Sequence, residues 1–241
     1  LYITAKDVGI EVEDLDVIST KTKFVRGTRA HKCGDPSPVT AYGVYKGMKA
    51  AAKYRWGTDS LAGKKIVIQG LGHVGYSVAQ FVHEEGAEIA ATELNQDTLK
   101  KAEQELGIKP LGNDDWASEK GDIFCPCAMG AIVNKQSIPS LVDNGIQVIA
   151  GGANNQLLSF QSDGKRLREA KVLYAPDFVI NAGGIINVAC DLDDNYQRDV
   201  ALQKTEHIYD VLLEIFDRAD KEDRPTAIIA NELAREKVGL K

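Results

Sequence analysis

A doubly wound α/β domain is the fold class that three observations predict. Strand-like and helix-like stretches alternate through the middle of the 241-residue chain. The strand-like stretches are apolar throughout rather than alternating, which suits a parallel sheet covered on both faces. And a glycine-rich turn, Gly70-Leu71-Gly72-His73-Val74-Gly75, stands between the first of these strands and the helix that follows.

Residues 65–70 form the first strand and residues 74–85 a helix, with Val78, Ala79 and Val82 inward and Gly86 as its C-cap. Residues 89–93 are the second strand, and residues 97–106 a helix ended by Gly107. Residues 122–125, 147–151 and 172–174 read as further buried strands. Ahead of this unit, residues 1–4 look strand-like, residues 14–20 begin a helical pattern, and residues 27–38 are a loop rich in Gly, Pro and charge. The spacing of Val44, Met48 and Ala51/Ala52 predicts a buried helix over 39–54, with Ser37 as N-cap and Pro38 at the first helical position. The last third is helical. Residues 200–219 carry one apolar stripe at Ile208, Val211, Leu212, Ile215, Phe216 and Ala219, and Thr226 caps a final helix with Ile229, Leu233 and Val238 inward.

Composition narrows the function classes. The net charge is −6, which argues against nucleic acid as the main ligand, because phosphate backbones need clustered Lys and Arg. No apolar run approaches a membrane span and no signal-peptide pattern is present, so a cytoplasmic location is expected. Four cysteines are too few and too scattered for a disulfide framework, and reduced thiols are expected. Cys125-Pro126-Cys127 lacks the spacing of a zinc hairpin, and no metal is expected.

The glycine turn has the context that a dinucleotide site requires. It follows a strand, opens a helix, and is joined by Glu93 at the end of the next strand, eighteen positions past Gly75. Gly70 permits the tight turn, Gly72 lets backbone approach a pyrophosphate, and Gly75 lets the helix pack closely on the strand. Amides at the helix N-terminus would hold the pyrophosphate. Glu93 can accept hydrogen bonds from the adenosine ribose and would repel a 2′-phosphate, while Leu94, Asn95 and Gln96 supply no Arg; NAD is therefore expected rather than NADP. His73 is either a cofactor contact or a solvent-facing loop residue.

Three more turns carry polar groups after strands: Cys127-Ala128-Met129-Gly130-Ala131, Gly151-Gly152-Ala153-Asn154-Asn155-Gln156, and residues 176–184, which contain Asn181-Ala182-Gly183-Gly184. Together with Tyr2-Ile3-Thr4-Ala5-Lys6-Asp7-Val8-Gly9 and Pro36-Ser37-Pro38-Val39-Thr40-Ala41-Tyr42-Gly43, they resemble the glutamate/leucine/phenylalanine/valine dehydrogenases, most of all the leucine (branched-chain) members. The likeness runs in order over nearly the whole chain.

The resemblance implies reversible oxidative deamination of an L-amino acid to its 2-oxo acid and ammonia, with NAD as acceptor. It implies that Asp7 is the catalytic aspartate, which handles protons on the amine and the attacking water. It places Thr40 on the nicotinamide carboxamide, and Val74, Cys127, Ala128 and Asn181 among the cofactor contacts. Asn154 and Asn155 fall where the nicotinamide ribose and the substrate carboxylate are bound; which does which stays open, with Asn154 taken for cofactor and Asn155 for substrate. Ala5, Ile185 and Val188 match the side-chain pocket. None is Lys or Arg, and a buried unpaired carboxylate is costly, so Leu, Val or Ile is expected over glutamate. A methylene is worth only about 1–3 kcal/mol, so the preference should be broad. The alternatives are a phenylalanine- or valine-preferring member and a non-catalytic NAD-binding module.

The family's lysines that bind the substrate carboxylate and activate water lie upstream of the stretch matching residues 1–9, and no Gly-Gly-Gly-Lys segment exists here. A fragment of a longer enzyme is therefore expected over a natural remnant, with negligible turnover by these residues alone. The expected organisation is a substrate-domain tail (1–36), an NAD domain (37–220) and a C-terminal helix returning toward the substrate domain (221–241), in a homo-oligomer.

Overall fold

The computed structural model describes residues 2–5, 9–30, 33–192 and 196–240. Asp7 lies outside the described residues. Two helices, α1 (Val12–Ser19) and α2 (Ser37–Trp56), lead into the strand-helix unit. That unit runs β1 (Lys65–Gln69), α3 (His73–Glu84), β2 (Glu88–Thr92), α4 (Gln96–Leu106), β3 (Lys109–Pro110), β4 (Ile123–Pro126), α5 (Ser137–Asp143), β5 (Val148–Ile149), α6 (Phe160–Glu169) and β6 (Leu173–Tyr174). Four helices follow: α7 (Asp177–Ile180), α8 (Gly183–Cys190), α9 (Arg198–Glu222) and α10 (Thr226–Lys237).

The six strands form one parallel sheet in the order β3-β2-β1-β4-β5-β6. This is the doubly wound α/β architecture expected. Its order reverses between β1 and β4, and ligands of such sheets lie outside the carboxyl ends of the strands at that reversal. Alternate residues of each strand serve opposite cores. Ile66, Ile68, Ile123 and Cys125 join Val44, Met48, Val78, Leu212 and Phe216 under α2, α3 and α9, whereas Val67, Phe124 and Ile149 join Leu141 and Leu167 under α5 and α6. Continuous apolar strands are thus explained by burial on both sides.

Several boundaries differ from expectation. Pro36 is the N-cap of α2, with Ser37 and Pro38 inside the first turn. The C-cap of α3 is Glu85, and Gly86 takes the left-handed position (φ +85°) just beyond it. Thr226 is the first helical residue of α10, and its hydroxyl donates to the Tyr174 carbonyl (2.7 Å), which ties the helix to β6 instead of capping it. Val238 is 70% exposed, because α10 ends one residue before it. α10 packs against α6, α9 and β6. The apolar periodicity did not single out β3 or α5–α8: β3 is a two-residue exposed edge strand, and these helices have ten residues or fewer. No described helix is long and apolar enough to cross a membrane.

Candidate cofactor site

β1 ends at Gln69, and the chain turns at Gly70 with φ +92°, a region that only glycine enters freely. A Cβ there would lie 2.5 Å from that of Ala128, so the turn after β1 touches the turn after β4. Gly75 makes a still closer approach: a Cβ would sit 2.0 Å from the Gly70 carbonyl oxygen and 3.1 Å from the Cys127 Cβ. Gly72, by contrast, is the N-cap of α3, and a Cβ on it would meet nothing within 4 Å. The open space belongs to a cleft of about 590 Å³ walled by Leu71, Gly72, His73, Glu93, Asn95 and Lys101, among others. The leading amides of a helix have no helical acceptors and attract anions. A pyrophosphate therefore fits over α3.

Glu93 follows β2 directly. Its Oε2 accepts the Leu71 amide (2.6 Å) and its Oε1 the Asn95 amide (2.9 Å), so the carboxylate is clamped between the glycine turn and the start of α4. Each oxygen keeps a further lone pair for a hydroxyl. His73 stays largely exposed, with Nδ1 3.4 Å from the Asp35 carboxylate, and Asp35 and Ser37 bring the start of α2 to the same cleft.

The remaining turns converge beside β4 and β5. The Cys127 amide donates to the Gln69 carbonyl (2.8 Å), which extends the β1–β4 ladder past its last strand residue. Gly152 lies so close to Val74 that a Cβ would be 2.7 Å from its Cγ1. Asn181 Nδ2 donates to Asn154 Oδ1 (2.7 Å) and to the Gly152 carbonyl (3.3 Å). Gly184 packs against the Thr40 hydroxyl, which donates to the Pro36 carbonyl (3.1 Å). Asn155 sits at φ +51°, with its carbonyl accepting the Ala131 amide (2.7 Å). Gln156 is fully buried and braces this turn: its Nε2 donates to the carbonyls of Gly151 and Ala153, and its amide donates to Asp177.

Among the residues read as a side-chain pocket, Ala5 lies beside the Thr4–Val25 bridge, Val188 is half-buried on α8, and Ile185 is 73% exposed. The two segments are linked through Asp191. Its Oδ2 is 3.7 Å from Arg26 Nε, and its Oδ1 accepts the Cys33 amide (3.3 Å). Asn187 completes the link by donating to the Cys33 carbonyl (3.2 Å).

The cleft also uses residues that motif reading missed: Asp35, Tyr76, Asn95, Thr98 and Lys101. Asn95 accepts the amides of Asp97 and Thr98 and so caps α4, a role its position before a helical run could have suggested. Lys101 follows Thr98 by three residues on α4, with its ammonium 5.2 Å from the Tyr76 ring centre and 4.0 Å from Glu105. Tyr76 donates to Glu105 (2.5 Å); desolvation and that bond push its phenol up to about 12. All four cysteines are free thiols, and no group of three or more metal-ligating side chains occurs among the described residues.

Comparison with known proteins decides the family. The model for glutamate/leucine/phenylalanine/valine dehydrogenases matches residues 35–238. The chain belongs to this family. It is 46% identical to the leucine dehydrogenase of Thermoactinomyces intermedius over 99% of its length, and it spans 64% of that enzyme. The crystal structure of the L-tryptophan dehydrogenase of Nostoc punctiforme superposes with a TM-score of 0.86 at 36% identity, over 98% of this chain and 67% of that one. At 19% identity, a hetero-hexameric glutamate dehydrogenase of Thermus thermophilus shares the fold, with a TM-score of 0.76 over 98% of this chain and 62% of that one.

Proposed function

We propose that this chain binds NAD at the Gly70–Gly75 turn and is the cofactor half of a homo-oligomeric enzyme that oxidatively deaminates a branched-chain L-amino acid. The observation that carries the cofactor reading is the clamped Glu93 carboxylate. Two backbone amides orient it across the turn, where it suits a ribose diol and opposes a 2′-phosphate. Lys101 supplies the opposite charge to the cleft, but Glu105 stands 4.0 Å from it and partly neutralises it. Glu93 therefore sets the preference.

Gly72, His73, Val74 and Gly75 would hold the pyrophosphate, and Thr40, Cys127, Ala128, Asn154 and Asn181 the nicotinamide end. When bound, the nicotinamide accepts the electron pair removed from the substrate. Asn181 spends its amide protons on Gly152 and Asn154, which leaves its own Oδ1 as an acceptor and the Asn154 amide as a donor for a ligand. Asn155 is assigned to the substrate carboxylate and Asp7 to proton transfer. Ala5, Ile185 and Val188 offer only apolar surface, which favours an aliphatic side chain. An aromatic substrate is the second reading, favoured by the tryptophan dehydrogenase superposition and by the open position of Ile185.

Alone, these residues are expected to bind cofactor without turnover. A chimera that joins them to the part of the Thermoactinomyces leucine dehydrogenase they leave uncovered tests the substrate assignment. Leucine, valine and isoleucine should drive NADH formation faster than phenylalanine, and glutamate should drive none; a glutamate or tryptophan preference would overturn the assignment.

A further inference from the structure

We infer that Cys125 and Cys127 are a site of reversible oxidation, a dithiol that closes to an intramolecular disulfide and so pulls Cys127 away from the wall of the glycine turn. Cys125 is in β4 and Cys127 one residue past its end; residues two apart in extended chain share a face. Their sulfurs lie 3.4 Å apart. Cys125 is fully buried, whereas Cys127 is half-buried at the crevice between β1 and β4. The two thiols are unequal. The bond between the two sulfurs and the Gly152 backbone hold the Cys127 thiol below the ordinary range against its own burial, while burial pushes that of Cys125 well up. Cys127, the more accessible of the two, is the nucleophile, and the enclosed Cys125 is the resolving thiol.

Hydrogen peroxide is a sufficient oxidant. The Cys127 thiolate attacks one peroxide oxygen, the O–O bond breaks, and hydroxide leaves and takes up a proton as water. The Cys125 sulfur then attacks the Cys127 sulfenic acid: the S–S bond forms, the S–O bond breaks, and the Cys125 proton leaves with the oxygen as a second water. Two thiols lose two electrons and one peroxide gains them.

Closure cannot leave the site as it is. The sulfurs must approach from 3.4 Å to about 2.05 Å. Extended residues two apart have Cα atoms roughly 6.6 Å from each other, longer than the about 5.5–6 Å of most disulfides, so closure draws the backbone in. The part that must move is the one whose amide bonds Gln69 and whose Cβ abuts Gly75, with Ala128 against Gly70 beside it. A bridge strained in this way is readily reduced again. Only the consequence for cofactor affinity rests on the proposed function.

The test treats the 241-residue chain with hydrogen peroxide, quenches, alkylates and digests it. Trypsin releases residues 121–135 with both cysteines in one peptide. The expected peptide is two hydrogens lighter, resists alkylation and reverts with dithiothreitol; NADH affinity falls about tenfold in parallel and recovers. Cys125→Ala should keep NADH affinity when reduced and lose the reversible response. Two alkylated thiols after oxidation, or sulfinic acid on Cys127 alone, would overturn the inference. So would a disulfide without effect on the turn. If the reduced chain fails to bind NADH, the proposed function falls instead, and amide hydrogen exchange over residues 66–76 then decides: faster exchange on oxidation supports the inference, and no change refutes it.

Discussion

The glycine turn and the links from Arg26 and Cys33 to the end of α8 are built in opposite ways. Around the turn, the determinants are backbone groups and one carboxylate that backbone amides hold: Gly70 bonds Thr92, the Glu93 carboxylate accepts the amides of Leu71 and Asn95, and Gly75 rests on Gly70. At α8 the links are side chains reaching across more than 150 residues, and Arg26 Nε and Asp191 Oδ2 are buried without a hydrogen bond, 3.7 Å apart. A turn packed this closely on its own neighbours tolerates little change. The other region leaves polar atoms of Arg26 and Asp191 without a hydrogen bond and is less closely fitted.

Gly75→Val should break the first region most severely. Its branched side chain would be driven into the Gly70 carbonyl, so overpacking should cost about 3 kcal/mol in urea unfolding and NADH binding should vanish; wild-type binding would refute the packing role. Glu93→Gln keeps the shape but removes the charge from two hydrogen bonds, each worth about 1.5–3 kcal/mol when charge-assisted. NADH affinity should drop by at least about tenfold in a fluorescence titration, and that for NADPH much less.

The far end of α3 from the turn responds to acid. Glu85 accepts from Lys49, Tyr45 and the Leu61 amide, and these contacts outweigh burial to hold its carboxyl below the ordinary carboxylate range. A depressed carboxyl stabilises the fold above its unfolded value of about 4.3, and that contribution is lost as pH falls through the lower folded value. Glu85→Gln should therefore cost about 1–2 kcal/mol at neutral pH and flatten the acid limb of a stability–pH curve. An unchanged acid limb would show that Glu85 does not carry it. The smallest effect is expected at the α8 link. A double-mutant cycle of Arg26→Met with Asp191→Asn should give a coupling below about 1 kcal/mol, because at 3.7 Å without a hydrogen bond the attraction of this buried pair does little more than offset desolvation. A coupling of several kcal/mol would mean that this region is as closely fitted as the turn.

The same contrast explains what could be read from residues alone. The sheet, the glycine turn and Glu93 were legible because strand, turn and acid follow one another within a short stretch and each has one physical purpose. Lys101 was not, since a cation in the second turn of α4 reaches the cleft only through the helix's placement beside α3. The Asn154–Asn181 bond and the Gly184–Thr40 contact needed sheet order, which brings turns distant in sequence together at one edge. Thr226 misled for a similar reason: a hydroxyl at a helix start suggests a cap, but here a carbonyl of β6 is its acceptor.

The most direct test titrates the chain with NADH and with NADPH side by side, following cofactor fluorescence. NADH is expected to bind at least about ten times more tightly, with the gap narrowing in Glu93→Gln. Equal or tighter binding of NADPH would contradict the account, because Lys101 rather than the clamped Glu93 would then govern what the glycine turn holds.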